Sequence, residues 1–193
     1  MFDLLFKHIS KRVTLSSSEL EFLTTVFIPK KIRKKQYLLQ EGEICKWMTF
    51  VSKGCLRSYT LDAEGKEHIV QFAIEDWWIA DMYSYLTGEP SEYIIDALED
   101  SELLMLDIKG KETVLENIPA FEKFLRMLLE SNHIASHRRL HTMMTKTAEE
   151  KYLNFIHSYP QIMQRVPQHM VASYLGISPE TLSRVRKQIL ATK

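Results

Sequence analysis

The 193-residue chain has few cysteines and no long apolar segment, and each shortage excludes a class of protein. Cys45 and Cys55 are too few to hold an iron–sulfur cluster, and without neighbouring histidines they do not make a zinc site. No apolar run approaches the roughly 18 residues needed to span a bilayer, and the N-terminus lacks the basic and apolar regions of a signal peptide. We therefore expect a cytoplasmic protein with reduced thiols, no metal and no membrane contact.

Catalytic motifs are also missing. The sequence has no Gly-rich phosphate loop and no Ser or Cys nucleophile motif. His68 is the only histidine between residues 9 and 132, which is too few for the His-rich metal site of a cupin-like enzyme. We expect a protein that is not an enzyme, and we assign no catalytic residue.

Charge is distributed unevenly, although the formal net charge is zero. Residues 134–193 contain nine Lys/Arg and three Asp/Glu, a balance of +6, so residues 1–133 carry a balance of −6. A basic segment is typical of a surface that contacts nucleic-acid phosphates. A second basic run at residues 30–35 has no interleaved aromatic residues, and we expect it to be a solvated loop.

The basic segment also contains a helix-turn-helix pattern. A short helix is predicted to end near Leu175, Gly176 allows a left-handed turn, and Ser178 followed by Pro179 is a typical helix start. Apolar residues at helical spacing predict the buried side: Val171, Leu175, Ile177, Leu182 and Val185. The outward residues of the second helix form a polar, basic face suited to the DNA major groove: Ser178, Pro179, Glu180, Thr181, Ser183, Arg184, Arg186 and Lys187.

Two residues on this face have side chains that can recognise bases. Glu180 and Arg184 are four positions apart, so they share one side of the helix. Glu180 can accept from a cytosine amino group, and Arg184 can donate to guanine O6 and N7. Alternatively the two form only a surface ion pair, in an ordinary helical hairpin or in a helix-turn-helix that binds protein.

The rest of the chain predicts a β-rich part followed by long helices. Capping-box residues from Ser16 predict a helix over residues 17–26. Short β-rich runs separated by turn signals then predict a sandwich or barrel, with strands at 37–39, 47–51, 56–61, 69–72, 93–97 and 103–106. A helix is predicted from Pro119 to about Met144, and another follows Thr147 through about Ser158.

The long helix has an apolar stripe that consists of Phe121, Leu125, Leu128 and Ala135. Its length of about 37 Å for roughly 25 residues exceeds what a small domain needs for internal packing. We therefore expect the stripe to contact a second copy of the chain. The alternative is a helix packed wholly on its own barrel.

This order of elements resembles the Crp/Fnr family of bacterial transcription regulators over nearly the whole chain. The most specific segments are Gly-Ile-Ser-Pro-Glu-Thr-Leu-Ser-Arg from Gly176 to Arg184, the turn Leu39-Gln-Glu-Gly-Glu43, and Val51-Ser-Lys-Gly54. The resemblance implies an α+β fold with an N-terminal β-roll similar to cyclic-nucleotide-binding domains. It divides the chain into a sensor domain at 1–116, a dimerisation helix at 117–145 and a helix-turn-helix domain at 146–193. The chain would bind a two-fold symmetric DNA site as a homodimer, with Glu180 and Arg184 at bases and Ser178 and Thr181 at phosphates.

The sensor segment departs from the family's cyclic-AMP pattern. A stretch resembling Phe-Gly-Glu-Leu is replaced by Trp78-Ile-Ala-Asp-Met82, and the later Arg-Ser pair is replaced by Ser91-Glu92. Loss of the arginine removes the charge-assisted partner of the phosphate, and Glu92 adds repulsion. We expect neither cyclic AMP, an iron–sulfur cluster nor haem. The candidate effector pocket consists of Trp78, Ala80, Asp81, Met82, Ser91 and Glu92.

Several questions stay open at this level. The aromatic residues Trp77, Trp78, Tyr83 and Tyr85 can line a site for an unidentified small-molecule effector, or they can be core residues. Residues 159–167 leave little room for a β-hairpin, so we expect a reduced winged helix. RNA polymerase is a further partner if the protein activates transcription, but the sequence contains no motif that identifies such a contact.

Overall fold

The computed structural model describes residues 1–191. Thr192 and Lys193, the last two residues of the predicted 146–193 domain, lie outside the described residues. The chain divides into two compact units. Unit 1 comprises Met1–Thr60 and Gln71–Ser131, and unit 2 comprises Leu61–Val70 and Asn132–Lys193. This division falls inside the long helix, and it assigns the Leu61–Val70 hairpin tip to the C-terminal unit.

The first part of the described chain contains all of its strands together with α1 to α3, and the part after β8 contains only helices. The helices are α1 Phe2–Ser10, α2 Ser17–Val26, α3 Met82–Thr87, α4 Ile108–Asn117, α5 Pro119–Thr145, α6 Ala148–Ser158, α7 Pro160–Met163, α8 Gln168–Leu175 and α9 Pro179–Ala191. The strands are β1 Ile28–Ile32, β2 Tyr37–Leu39, β3 Met48–Lys53, β4 Leu56–Leu61, β5 Glu67–Ala73, β6 Trp78–Ile79, β7 Ile94–Ala97 and β8 Ser101–Leu106.

Two four-stranded sheets form the body of unit 1, in the orders β1-β8-β3-β6 and β2-β7-β4-β5. Phe50 of β3 pairs with Leu104 of β8, and Ser58 of β4 pairs with Ile95 of β7. The first four residues of β3, the first four of β4 and all of β7 are buried, so the central strands are covered on both faces. The predicted α+β fold with a β-roll is therefore confirmed.

The turn after β3 shows why its glycine is needed. Gly54 has a φ of 105°, a left-handed conformation that side chains rarely adopt. A Cβ atom built on Gly54 would overlap the Ser101 side chain and backbone on β8. Glycine at the end of the Val51-Ser-Lys-Gly54 motif is therefore required by the close approach of Ser101 as well as by the turn geometry.

The N-terminal helices and the start of α5 close this core. The aromatic rings of Phe50, Trp78 and Phe124 pack around the buried His8 of α1, and the Phe27 ring packs against Trp78. Ser16 and Glu19 form the predicted capping box of α2, with the Glu19 backbone N–H donating to Ser16 Oγ at 3.3 Å.

The basic run at residues 30–35 lies only partly in the expected exposed loop, which contains Arg33, Lys34 and Lys35. Lys30 and Lys31 lie on β1 rather than in a loop. Because β1 ends the order of its sheet and pairs only with β8 among the described strands, it tolerates lysines that face solvent. Lys31 Nζ lies 3.0 Å from a Glu102 carboxylate oxygen across the β1–β8 pair.

Unit 2 consists of the second part of α5, helices α6 to α9 and the hairpin tip. Thr147 caps α6 through a capping box with Glu150, as predicted. The core of this unit contains Tyr152, Phe155, Ile162 and Val166 in addition to the buried side of the helix-turn-helix. Within residues 1–191, none of the helices is both long and apolar enough to cross a membrane.

Candidate nucleic-acid interface

The turn between α8 and α9 has the geometry that the sequence predicts. Gly176 has a φ of 65°, and its backbone N–H donates to the end of α8. The next backbone N–H, that of Ile177, donates to the Ala172 carbonyl at 3.0 Å. These bonds satisfy carbonyls at the helix end and direct the chain into α9.

Helix α9 begins at the predicted cap. The Thr181 backbone N–H donates to Ser178 Oγ at 3.2 Å, and Pro179 occupies the first helical position. Hydrogen bonds from its own backbone N–H and from the Ser178 hydroxyl, together with the positive charge of Lys66, lower the pKa of Glu180. Glu180 is therefore ionised at neutral pH and can act as a hydrogen-bond acceptor.

One side of the two helices is buried and the other is exposed. Five positions face the core of unit 2 and are at most 5% exposed: Val171, Ala172, Leu175, Leu182 and Val185. Ile177, predicted on the same side, is only partly buried. Because apolar contacts hold both helices, the polar residues of α9 are not needed for packing and remain available to a partner.

The exposed residues form one continuous surface, which we call the α9 face. Its concavity of about 580 Å³ is lined by Pro179, Glu180, Ser183, Arg184, Lys187 and Gln188. Five of these were predicted as DNA-binding residues, and Gln188 was missed. Ser178 is exposed and Thr181 is partly buried at the edge of the helix.

The connection between α6 and α8 contains no β-hairpin. It folds as the short helix α7 and a turn, and no strand follows β8 in the described part of the chain. In residues 159–167 a four-residue helix and a turn therefore stand where a wing hairpin would be.

The hairpin tip of unit 2 contacts the helix-turn-helix, a feature that sequence analysis missed. The Ile69 backbone N–H donates to Ser173 Oγ at 2.9 Å, and the Ser173 hydroxyl donates to the Glu67 carbonyl at 2.8 Å. Arg139 of α5 donates to the carbonyls of Ile69, Val70 and Tyr174. Its guanidinium also lies over the Tyr174 ring, 4.1 Å from the centroid. These bonds join three parts of unit 2 that are distant in sequence.

Comparison with known proteins agrees with this architecture. The cyclic nucleotide-binding domain model matches residues 29–117. The fumarate and nitrate reduction regulatory protein of Vibrio cholerae is 25% identical over 198 aligned residues, which cover 93% of this chain and 78% of the relative. Regulatory protein HlyX of Actinobacillus pleuropneumoniae is 25% identical over 185 residues, covering 89% of this chain and 76% of the relative.

Solved structures share the fold. FixK2 from Bradyrhizobium japonicum has a TM-score of 0.75 at 18% identity, with 86% of each chain covered. A transcriptional regulator of the Crp/Fnr family from Eubacterium rectale has a TM-score of 0.70 at 15% identity, covering 92% of this chain and 85% of that chain. Over most of its length the chain is therefore similar to regulators of the Crp/Fnr family. These relatives are regulatory proteins rather than enzymes, in agreement with what we expect of this chain from its sequence.

The sensor segment after β6 uses its polar groups in internal hydrogen bonds. Asp81, which is 4% exposed, caps α3 by accepting from the backbone N–H groups of Tyr83 and Ser84. The Ser91 hydroxyl donates to the other Asp81 carboxylate oxygen at 2.7 Å. Asp81 and Ser91, both candidate pocket residues, are therefore brought together as hydrogen-bond partners.

The other candidate pocket residues have varied environments. Trp78 is buried in the aromatic core, and its indole N–H donates to His8 Nε2 at 3.4 Å. Ala80 and Met82 are partly buried against the core, whereas Glu92 is exposed.

A separate cavity of about 450 Å³ in unit 1 has a lining that sequence analysis did not single out: Leu38, Leu39, Gly42, Glu43, Ile44, Cys45, Lys46, Trp47 and Ile95.

The residues of the predicted stripe on α5 differ in burial. Phe121 and Leu128 are buried in the core of unit 1, and Leu125 packs against that core. Ala135 is exposed. Farther along the helix, Leu140 is 55% exposed and Met143 is 40% exposed. Leu129 at 46% and Ile134 at 52% are exposed as well, so exposed apolar side chains occur both within the predicted stripe's span and farther toward the C-terminus of α5.

Proposed function

We propose that this chain is a Crp/Fnr regulator that binds a two-fold symmetric DNA site as a homodimer, with Glu180 and Arg184 contacting bases. The observation that carries the proposal is the α9 face, on which charged side chains are exposed while the apolar side of the helix is buried. A major groove accepts a helix presented in this way. Two copies would place two such helices in successive grooves about 34 Å apart.

Replacing Arg184 tests the base contact. Arg184→Ala should lose about 1 to 3 kcal/mol of binding free energy at the cognate guanine, roughly 5- to 150-fold in affinity. Arg186→Ala is the matched control, because Arg186 is also exposed on α9 but does not line its concavity. The control should weaken binding to all sequences similarly and lower the salt dependence.

Fluorescence anisotropy measures both effects. The DNA is a site recovered by selection from a random pool, compared with its single-base variants. Equal losses for the two variants on every sequence would contradict the base contact. An affinity that does not change with salt would instead favour a helix-turn-helix that binds protein, because phosphate neutralisation releases counterions.

We further propose that the effector is not cyclic AMP. The Asp81 carboxylate is buried, and Ser91 is already its hydrogen-bond partner. Position 92, next to Ser91, bears a carboxylate where the family's cyclic-AMP pattern has an Arg-Ser pair. An anionic phosphate would therefore lack its charged partner. Titration calorimetry with cyclic AMP should give no binding heat, and saturable micromolar binding would contradict this proposal.

A further inference from the structure

Three histidines recur at intervals of four residues on the second half of α5. They are His133, His137 and His141, and all three are exposed. Residues four apart on a helix have neighbouring side chains on one face. The rings of His133 and His137 already lie together, with centroids 4.4 Å apart and planes inclined by 62°. Paired imidazoles at this spacing are a known zinc-binding arrangement on helices.

One copy of the chain does not complete a metal site here. Among residues 1–191, no group of three or more His, Cys, Asp or Glu side chains is arranged to hold a metal ion. Zinc is almost always four-coordinate in structural sites, so a pair of imidazoles leaves two positions for other ligands. A site closed to solvent water would take those ligands from another protein molecule.

The position of His133 on α5 indicates that this molecule is a second copy of the chain. His133 is followed at intervals of three, four and three residues by Ser136, Leu140 and Met143. This is the a/d spacing of a coiled-coil seam. Leu140 and Met143 expose large apolar side chains at that spacing. An exposed helical seam of this kind fits a second copy of the same helix, which would bring a second His133–His137 pair to the first.

We propose that His133 and His137 of two copies together bind one divalent first-row cation of the imidazole-preferring class, such as Zn²⁺, across the dimer interface. The inference rests on the homodimer of the proposed function. Four neutral imidazoles provide the nitrogen ligands and the ligand number that zinc requires. A cation bound in this way stabilises the dimer because the monomer contains only half of the ligand set.

The test combines zinc titration with sedimentation velocity on the full chain. The expected stoichiometry is one zinc ion per two chains. Because the site exists only in the dimer, zinc at about a hundred times its Kd should lower the dimer dissociation constant roughly a hundredfold. Magnesium, which prefers oxygen ligands, should have no such effect.

Variants assign the ligands. His133→Ala and His137→Ala should each abolish the zinc effect, whereas His157→Ala, an exposed histidine on α6, should retain it. His141→Ala should also retain it. Loss of binding in His141→Ala, one zinc per chain without a change in association, or no zinc binding by the native chain would each overturn the proposal. Circular dichroism checks that the variants fold.

Failure of the site can be distinguished from failure of the proposed function. The same preparation is tested for symmetric DNA binding in metal-free buffer. Dimeric DNA binding without any zinc binding would overturn only the metal site. A chain that stays monomeric with and without zinc, and binds no DNA, would overturn both.

Discussion

The α9 face and the sensor segment around Asp81 are both polar, but their polar groups differ in burial and in internal hydrogen bonding. On α9, Glu180, Arg184 and Lys187 are exposed, and the helix is held by apolar residues on its other side. In the sensor segment, Asp81 and Ser91 are buried and bonded to each other. The first region leaves its charges exposed to solvent, whereas the second uses its charge to hold its own backbone.

This difference indicates what substitutions should do in each region. A polar residue that makes no internal contact can be removed with little loss of stability, so its loss should appear in binding. A buried, bonded polar group leaves an unsatisfied partner when it is removed, so its loss should appear in stability. All three tryptophans, Trp47, Trp77 and Trp78, belong to unit 1, so tryptophan fluorescence reports unfolding of that unit.

The largest stability effect is expected at the buried Arg57–Asp96 pair on β4 and β7. Arg57 Nε donates to Asp96 Oδ1 at 2.8 Å and its Nη2 to Oδ2 at 3.0 Å, with both side chains at most 10% exposed. Arg57→Ala leaves the carboxylate buried, which should cost about 3 to 5 kcal/mol of unfolding free energy. Urea unfolding followed by tryptophan fluorescence measures this loss.

The double variant Arg57→Leu with Asp96→Leu is the control. It removes both charges, so much of the stability should return. Arg184→Ala on α9 should leave the urea midpoint unchanged. A stability loss in Arg184→Ala comparable to that of Arg57→Ala would remove the contrast between the two regions.

A smaller loss is expected at Asp81. Asp81→Ala removes the α3 cap and the partner of the Ser91 hydroxyl, which should cost about 2 kcal/mol. Asp81→Asn retains a cap acceptor and should cost less. The same urea experiment measures both variants. An Asp81→Ala protein of native stability would show that the carboxylate is not structural, and would strengthen its case as an effector-binding group.

The smallest effect is a pH dependence of unit 1. Burial lowers the pKa of His8, although Asp76 opposes this, so the folded protein favours neutral His8. In that form Nδ1–H donates to Asp76 at 2.7 Å and Nε2 accepts from Trp78. The positive charges of Arg12 and Lys11, which also face this group, disfavour a further positive charge on His8 and so lower its pKa.

The sign of this dependence follows from proton linkage. Because the folded pKa lies below the unfolded value of about 6.5, the contribution of His8 is complete above that pH. It is lost as the pH falls below 6.5 through the folded pKa. His8→Gln should remove this part of the pH dependence, as urea midpoints measured between pH 7.5 and about 5 would show. An unchanged pH profile in the variant would contradict it.

Local signals were sufficient for much of the fold. The capping boxes at Ser16 and Thr147 and the Gly176 turn are each encoded within a few residues, and the structure has them as predicted. Strand β4 was predicted with its observed bounds. The same reasoning missed α4, where Val114 is the only buried residue, because a helix without an apolar stripe has no periodic signal.

Tertiary contacts explain what the sequence could not reveal. Nothing local indicates that Arg139 bonds to the carbonyls of Ile69 and Val70, roughly 70 residues earlier. Nor does spacing show which part of the α5 stripe is covered by unit 1, since Phe121 and Ala135 satisfy the same periodicity. The His133–His137 pair, by contrast, is visible in the sequence once intervals of four are searched.

Selection of bound sequences from a random DNA pool, at near-physiological salt, tests the central claim most directly. We expect a two-fold symmetric consensus with half-sites one helical turn apart, enriched in guanine at the position contacted by Arg184. If a consensus is recovered only when cell metabolite extract is added to the protein, an effector is required. Recovery of no consensus under either condition would contradict the assignment of the α9 face to sequence-specific DNA binding.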